Sequence, residues 1–525
     1  MKHPLLYEIN TRCWLNQLSS RQGAPVTLAN VPDSEFARWQ RLGFTHIWLM
    51  GVWTTGARAR AQALALDDLL QEYQDKLPQA GKIRLDASPY AIGEYRVSPA
   101  LGGEPGLQAF RRQLSQCGLK LILDFVPNHV GLDHPWLSQR PDLFVQGSAE
   151  MPGTIEQQTK AGVRWLAQGR DPNFPPWSDT VQLDYRLPAT RAAMQETLLS
   201  FAGKCDGVRC DMAMLVLNDV FEKTWAQFPP VETGGGFRKK AANAGGVLTT
   251  AATPESVGTL SRGAPATEFW QEAIASAKQA HPGFIFIAEA YWGLEPRLHA
   301  LGFDYTYDKE LYDALVGHDS AGVQRHLLAA TPRLIEAGAH FLENHDEPRI
   351  ASILSLPEHC AAALLILSLP GMRFLHDGEL EGALVRIPVQ LLCSAVEPTQ
   401  PDIERMYEQM LIALQKTAVG QGEAVILKPR EAWPGNATAQ NFVLVQWQVQ
   451  APDFELAVVN LAPQRSQCYA PLSVGDLAGH DWLMKNLLGS EEYRRSGKEL
   501  QSQGIYLDLP EHGAQLFHFE PGSST

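Results

Sequence analysis

The chain has 525 residues, 45% hydrophobic and 19% charged, with a net charge of −14. Such a composition belongs to a folded globular protein, not a disordered one. The acidic balance, with Lys and Arg scattered, argues against a nucleic-acid partner, which would need a basic face.

At the N-terminus, Met1-Lys2-His3-Pro4-Leu5-Leu6 has no apolar core of a secretory signal. The longest apolar run, Ala361 to Leu367, is broken by Ser368 and Pro370, far short of a membrane span. Seven cysteines (Cys13, Cys117, Cys205, Cys210, Cys360, Cys393, Cys468) form no CxxC pair. Free thiols in a cytoplasmic protein without a membrane partner are therefore expected. Cys205 and Cys210 flank an apolar strand and have no His or Cys partner at zinc spacing, so they are not read as metal ligands.

Short apolar runs then alternate with helical patterns. The strand candidates are Leu5–Ile9, His46–Met50, Lys120–Val126, Gly207–Asp211, Phe284–Glu289, Phe303–Tyr307, Ala339–Glu343 and Met372–His376. Helical spacing joins Leu107, Phe110 and Leu114, and again Met194, Leu198 and Phe201. Strands and helices in this alternation predict an α/β chain, a (β/α)₈ TIM barrel. An open doubly wound sheet is the alternative, but no GxGxxG follows the first strand. Residues 1–130 and 185–416 are assigned to the barrel, and 131–184 to a small inserted subdomain after the third strand. Pro229 to Pro265, with Gly234-Gly235-Gly236 and Gly245-Gly246, predicts a loop, and its Arg238–Lys240 run a solvated face. From 417 to 525 the pattern turns all-β, with strands at Phe442–Trp447, Phe454–Asn460, Gly504–Leu509 and Gln515–Phe519.

Barrel chemistry sits at the C-terminal ends of strands. Four strands end in polar clusters: Asp124-Phe125-Val126-Pro127-Asn128-His129, Gly207-Val208-Arg209-Cys210-Asp211, Phe286-Ile287-Ala288-Glu289-Ala290 and Phe341-Leu342-Glu343-Asn344-His345-Asp346. A carboxylate after a buried strand is costly unless paired or used, and four together imply a convergent acidic site. Without a histidine cluster for a metal, the pattern suits acid/base and nucleophilic work on an acetal. Arg209 and Asp211 alternate onto one face, where the guanidinium keeps Asp211 ionised. Glu289, among Phe286, Ile287, Ala288 and Ala290, is expected in an apolar setting that raises its pKa, as a general acid requires. Asp124 reads more simply as a structural carboxylate at the end of its strand.

These four clusters, in this order, resemble the short motif regions of the α-amylase superfamily (glycoside hydrolase family 13). The likeness extends to Ser88-Pro89-Tyr90-Ala91-Ile92-Gly93-Glu94-Tyr95, Thr180-Val181-Gln182-Leu183-Asp184-Tyr185, and Leu369-Pro370-Gly371 through Gly378-Glu379. The resemblance implies Asp211 as nucleophile, Glu289 as acid/base and Asp346 as transition-state stabiliser. It also implies glucosyl contacts from His129, Arg209 and His345, stacking from Tyr90, and a C-terminal β-sandwich. Tyr90 has packing as its alternative, and Trp292 either lines the acceptor side or plugs the barrel top. Met214 and Leu215 stand where the family often has Lys-His, which implies an apolar acceptor side and short substrates. No cofactor is called for; calcium stays open, with Asn128 the candidate ligand.

The expected function is a retaining glycoside hydrolase acting on α-glucosidic bonds of short α-glucans or α-glucosides. A trehalose- or sucrose-active transglycosylase or isomerase is the alternative, and a non-catalytic carbohydrate- or partner-binding relative is the second.

Overall fold

The computed structural model describes residues 3–66, 71, 85–228 and 266–522; the expected loop from Pro229 to Pro265, with its basic run, lies outside them. Eight parallel strands close into a barrel: β1 (Leu5–Asn10), β2 (His46–Met50), β3 (Lys120–Phe125), β4 (Gly207–Cys210), β5 (Ile285–Ala288), β6 (Tyr305–Tyr307), β7 (Gly338–Phe341) and β8 (Met372–His376). Each strand pairs with its neighbours in sequence, and β8 closes on β1 with Leu6 opposite Phe374. All eight fall on the expected runs.

Side-chain alternation sorts these strands into two surfaces. Leu6, Trp48, Ile122, Ile287, Tyr307, Phe341 and Phe374 fill the barrel interior as one cluster. The intervening residues, such as Leu121, Leu123, Phe125, Val208 and Phe286, pack outward in the larger core with the surrounding helices. The helix Gly103–Gln116 buries Leu107, Phe110 and Leu114, and Pro188–Ala202 buries Met194, Leu198 and Phe201. Continuing the inward alternation past the last apolar layer brings Glu8, Asp124, Arg209, Asp211 and Glu289 to the C-terminal mouth. Two of them, Asp211 and Glu289, lie just beyond the ladder: β4 ends at Cys210 and β5 at Ala288.

After β3 the chain leaves the barrel. His129–Gly131 pairs with Thr180–Gln182, and Thr154–Thr159 forms a hairpin with Gly162–Ala167. Gly131 is required here, because a Cβ would sit 2.4 Å from the Ala91 carbonyl oxygen. That close approach seats the Tyr90 loop beside His129.

The C-terminal region has a six-stranded antiparallel sheet facing a three-stranded one. Strand Phe442–Gln448 is apolar on both faces for a reason. Phe442 and Leu444 point into the core between the sheets, whereas Val443, Val445 and Trp447 join the barrel's core. Trp447 Nε1 donates to the Ser368 carbonyl oxygen at 2.7 Å, at the end of helix Leu356–Ser368. All seven cysteines are free. Among the described residues, no helix is long and apolar enough to cross a membrane.

Candidate active site

Arg209 organises the mouth of the barrel. Its side chain is 1% exposed, with Nη1 donating to Asp211 Oδ1 at 2.7 Å and Nη2 lying 2.7 Å from Glu289 Oε2. The second contact is an ion pair outside hydrogen-bond geometry. Trp48, Tyr90 and Tyr307 surround the guanidinium carbon at 5.3, 5.2 and 5.7 Å from their ring centroids, a desolvated cation–π box. Asp211 and Glu289, from adjacent strands, are thus held within the span of one planar group. Burial raises both carboxyls above their ordinary values, and Arg209 offsets that rise only in part, so their protons belong to the pair.

Burial raises the Glu289 carboxyl as expected, but its immediate partners are not apolar. Phe286, Ala288 and Ala290 alternate away into the outer core, Ile287 lies one layer below in the barrel interior, and the carboxylate itself meets polar donors. Oε2 accepts the Met212 N–H at 2.7 Å, and Oε1 accepts the Tyr291 hydroxyl at 2.7 Å. Met212, whose N–H makes the first of these contacts, adopts a left-handed backbone, φ 43°. A non-glycine residue in that region carries strain of the kind found at functional sites.

Asp346 opens to the cavity with 48% of its side chain exposed, and His345 Nε2 lies 3.1 Å from its Oδ2. Desolvation works to raise Asp346, but the His345 imidazolium and Arg209 hold it well below the usual carboxylate range. Burial alone would lower His345; Asp346 and Glu8 override it and raise it well above an ordinary imidazole. Tyr90 stacks on His345 at 5.4 Å and 26°, its hydroxyl 2.7 Å from Nε2. Asn344 Oδ1 accepts the N–H groups of Asp346 and Glu347 and fixes the turn. Asp124 takes N–H bonds from Trp48 Nε1 at 3.0 Å and Gly51 at 2.7 Å. Burial pushes Asp124 up to about 6, against the Arg209 charge.

A cavity of about 1260 Å³ adjoins these groups, its wall including Glu289, Asp346, Tyr291, Trp292, Met212, Asp171, Phe174 and Trp177. Trp292 is 46% and Phe174 67% exposed, so Trp292 stands on the cavity wall and does not plug the barrel top. His129 is buried, with the Trp177 ring at 5.0 Å, and burial pushes it down to about 4. The expectation for Met214 and Leu215 fails. Both are buried in the turn Ala213–Val216, Met214 at 0% and Leu215 at 3% exposure, and neither lines the cavity. The left-handed turn at Met212 directs the next residues into the protein.

The residues around Asn128 do not fit a calcium ion. Gln182 Nε2 is directed at Asn128 O, Asn128 Oδ1 and Leu183 O, at 2.8, 3.0 and 3.1 Å. An amide NH₂ therefore occupies the point on which three oxygens converge, where a hard cation would need to sit. Nearby in sequence, Asp184 is taken by Arg186 in a bidentate pair. Among the described residues no group of three or more His, Cys, Asp or Glu side chains is gathered to hold a metal.

Four contributors escaped the sequence reading: Glu8, Trp48, Tyr307 and Tyr291. The first three sit at or near the C-terminal ends of β1, β2 and β6 and face inward. The strand-end rule, extended from carboxylate clusters to all eight strands, would have found them. Tyr291 carries no such signal beyond lying two residues after Glu289.

Comparison with known proteins places the chain. The alpha-amylase catalytic-domain family model matches residues 38–387. Maltase 1 of Drosophila virilis is 24% identical over 324 residues, 55% of this chain and 49% of its own. Alpha-amylase MalA of Haloarcula japonica is 21% identical over 292 residues, 54% of this chain and 35% of its own. The chain thus spans half or less of the length of these two relatives. Among solved structures, the maltogenic alpha-amylase AmyB of Thermotoga neapolitana superposes with a TM-score of 0.65 at 17% identity, covering 99% of both chains. An alpha-amylase of Geobacillus thermoleovorans, solved with acarbose, gives 0.64 at 15% identity with the same coverage.

Proposed function

From the premise that this chain belongs to the α-amylase family, we propose that it is a retaining glycoside hydrolase acting on α-glucosidic bonds of short α-glucans or α-glucosides. The observation that carries the proposal is the Arg209 bridge between Asp211 and Glu289 at the edge of a cavity that Asp346 faces. Retention needs two carboxyl groups about 5–5.5 Å apart, one to attack and one to pass a proton. A shared guanidinium favours that close spacing over the wider gap that would admit a water between them.

In the first step an Asp211 oxygen bonds to the anomeric carbon as the glycosidic C–O bond breaks, and Glu289 gives its proton to the leaving oxygen. The charge that develops on the sugar ring is met by Asp346, kept ionised by His345. In the second step water loses a proton to Glu289 and bonds to the anomeric carbon, and the ester to Asp211 breaks. Trp292 and Phe174, exposed along the cavity, suit sugar rings beyond the cleaved bond.

A slow 2-deoxy-2-fluoro α-glucosyl substrate tests the assignment. Mass spectrometry is expected to find the label on Asp211, and NMR the α-anomer as the first product. Initial release of the β-anomer, or label elsewhere, would refute the mechanism.

A further inference from the structure

We propose that Tyr291 is a positioning residue for proton transfer, holding the one oxygen of Glu289 on which the transferable proton can reside. The inference rests on Glu289 being the acid/base. Glu289 Oε2 faces the Met212 N–H and the Arg209 guanidinium, each at 2.7 Å. Both partners can only donate hydrogens. A proton on Oε2 would point at them, so the protonated acid carries it on Oε1.

The partner of Oε1 is Tyr291 Oη at 2.7 Å. A phenol both donates and accepts, so one geometry serves both charge states of the acid. With Glu289 ionised, Tyr291 donates to Oε1; with Glu289 protonated, Oε1–H donates to Oη. Tyr291 and Glu289 both line the cavity, so the leaving oxygen arrives on the side where this proton lies. When the proton moves from Oε1 to the glycosidic oxygen, the Tyr291 hydroxyl rotates and donates to the new carboxylate. When water attacks the Asp211 ester, Oε1 takes the water's proton and the hydroxyl rotates back. Tyr291 gains and loses no proton of its own.

Tyr291→Phe removes the hydroxyl and keeps the ring. A donor to the ionised form lowers a carboxyl pKa, so its loss is expected to move the basic limb of kcat/KM upward by about half to one pH unit. On α-glucosides with poor leaving groups kcat is expected to fall about tenfold with KM within about twofold, the mark of an interaction made in the transition state. Activated aryl α-glucosides, which need little acid assistance, are expected to lose far less. An unmoved basic limb, or equal losses on both substrates, would overturn the role of Tyr291. Glu289→Gln, assayed in parallel, separates the two ideas. If it loses activity selectively on poor leaving groups while Tyr291→Phe moves no limb, only the Tyr291 inference fails. If it keeps full activity on them, Glu289 is not the acid and both readings fall.

Discussion

His345 Nδ1 lies 2.5 Å from Glu8 Oε1, which ties the loop after β7 to a carboxylate on β1, across the intervening β8. Both side chains are buried, at 2% and 0% exposure. The strand that opens the barrel thereby sets the charge of a histidine near its closure, and through it the charge of Asp346.

The Glu8–His345 pair predicts a pH-dependent stability. Burial lowers His345, but Asp346 and Glu8 raise it well above its ordinary value. A raised folded pKa gives stability that is complete below the unfolded value of about 6.5 and lost as pH climbs through the folded value. Glu8→Gln is therefore expected to cost about 1.5–3 kcal/mol near pH 6 and progressively less at alkaline pH. Urea unfolding of both proteins from pH 5 to 10 measures this; a penalty that does not change with pH would contradict it.

Trp292 and Phe174 are expected to matter for binding rather than chemistry. Truncating either to Ala removes a ring contact worth about 0.5–1.5 kcal/mol, a rise in KM of up to about tenfold on maltooligosaccharides. With kcat nearly unchanged and short aryl glucosides less affected, the rings would be shown to serve sugars beyond the cleaved bond. Equal effects on all substrates would place them elsewhere in the reaction.

Leu215→His offers the opposite contrast. Leu215 is 3% exposed and away from the cavity lining, so a histidine there buries a polar ring and repacks the core. A loss of about 2–4 kcal/mol in stability is expected, with no shift toward longer substrates. A clear gain on maltooligosaccharides without destabilisation would show that the turn reaches the acceptor after all.

Chelation is expected to leave the protein unchanged. Because the Gln182 amide already satisfies Asn128 Oδ1, thermal melting with EDTA and with added Ca²⁺ should coincide. A Tm that rises steeply with Ca²⁺ would reveal a cation site built from other residues.

The barrel was legible because fully buried parallel strands are short uninterrupted apolar runs, and these stand out in sequence. The carboxylates were legible because a charge beside such a run is costly. What the sequence hid is direction. Nothing local says that Met212 turns left-handed, so Leu215 is expected on the acceptor side and is in fact core. Nothing local says that the Met212 N–H reaches the Glu289 carboxylate, or that Tyr291 folds back onto it. Pairings such as Glu8 with His345 are set by closure of the barrel, 337 residues apart, beyond the reach of any sequence window.

The seam at Trp447 bears on how the molecule comes apart. Val443, Val445, Trp447, Val459 and Leu516 share a core with helix Leu356–Ser368, so the C-terminal sheet is part of the barrel's own insulation. A chain cut after Leu414 would bare that helix and leave the Ser368 carbonyl without its indole partner. The shortened protein is expected to precipitate when expressed, and the intact one to melt in a calorimeter as a single heat-absorption peak.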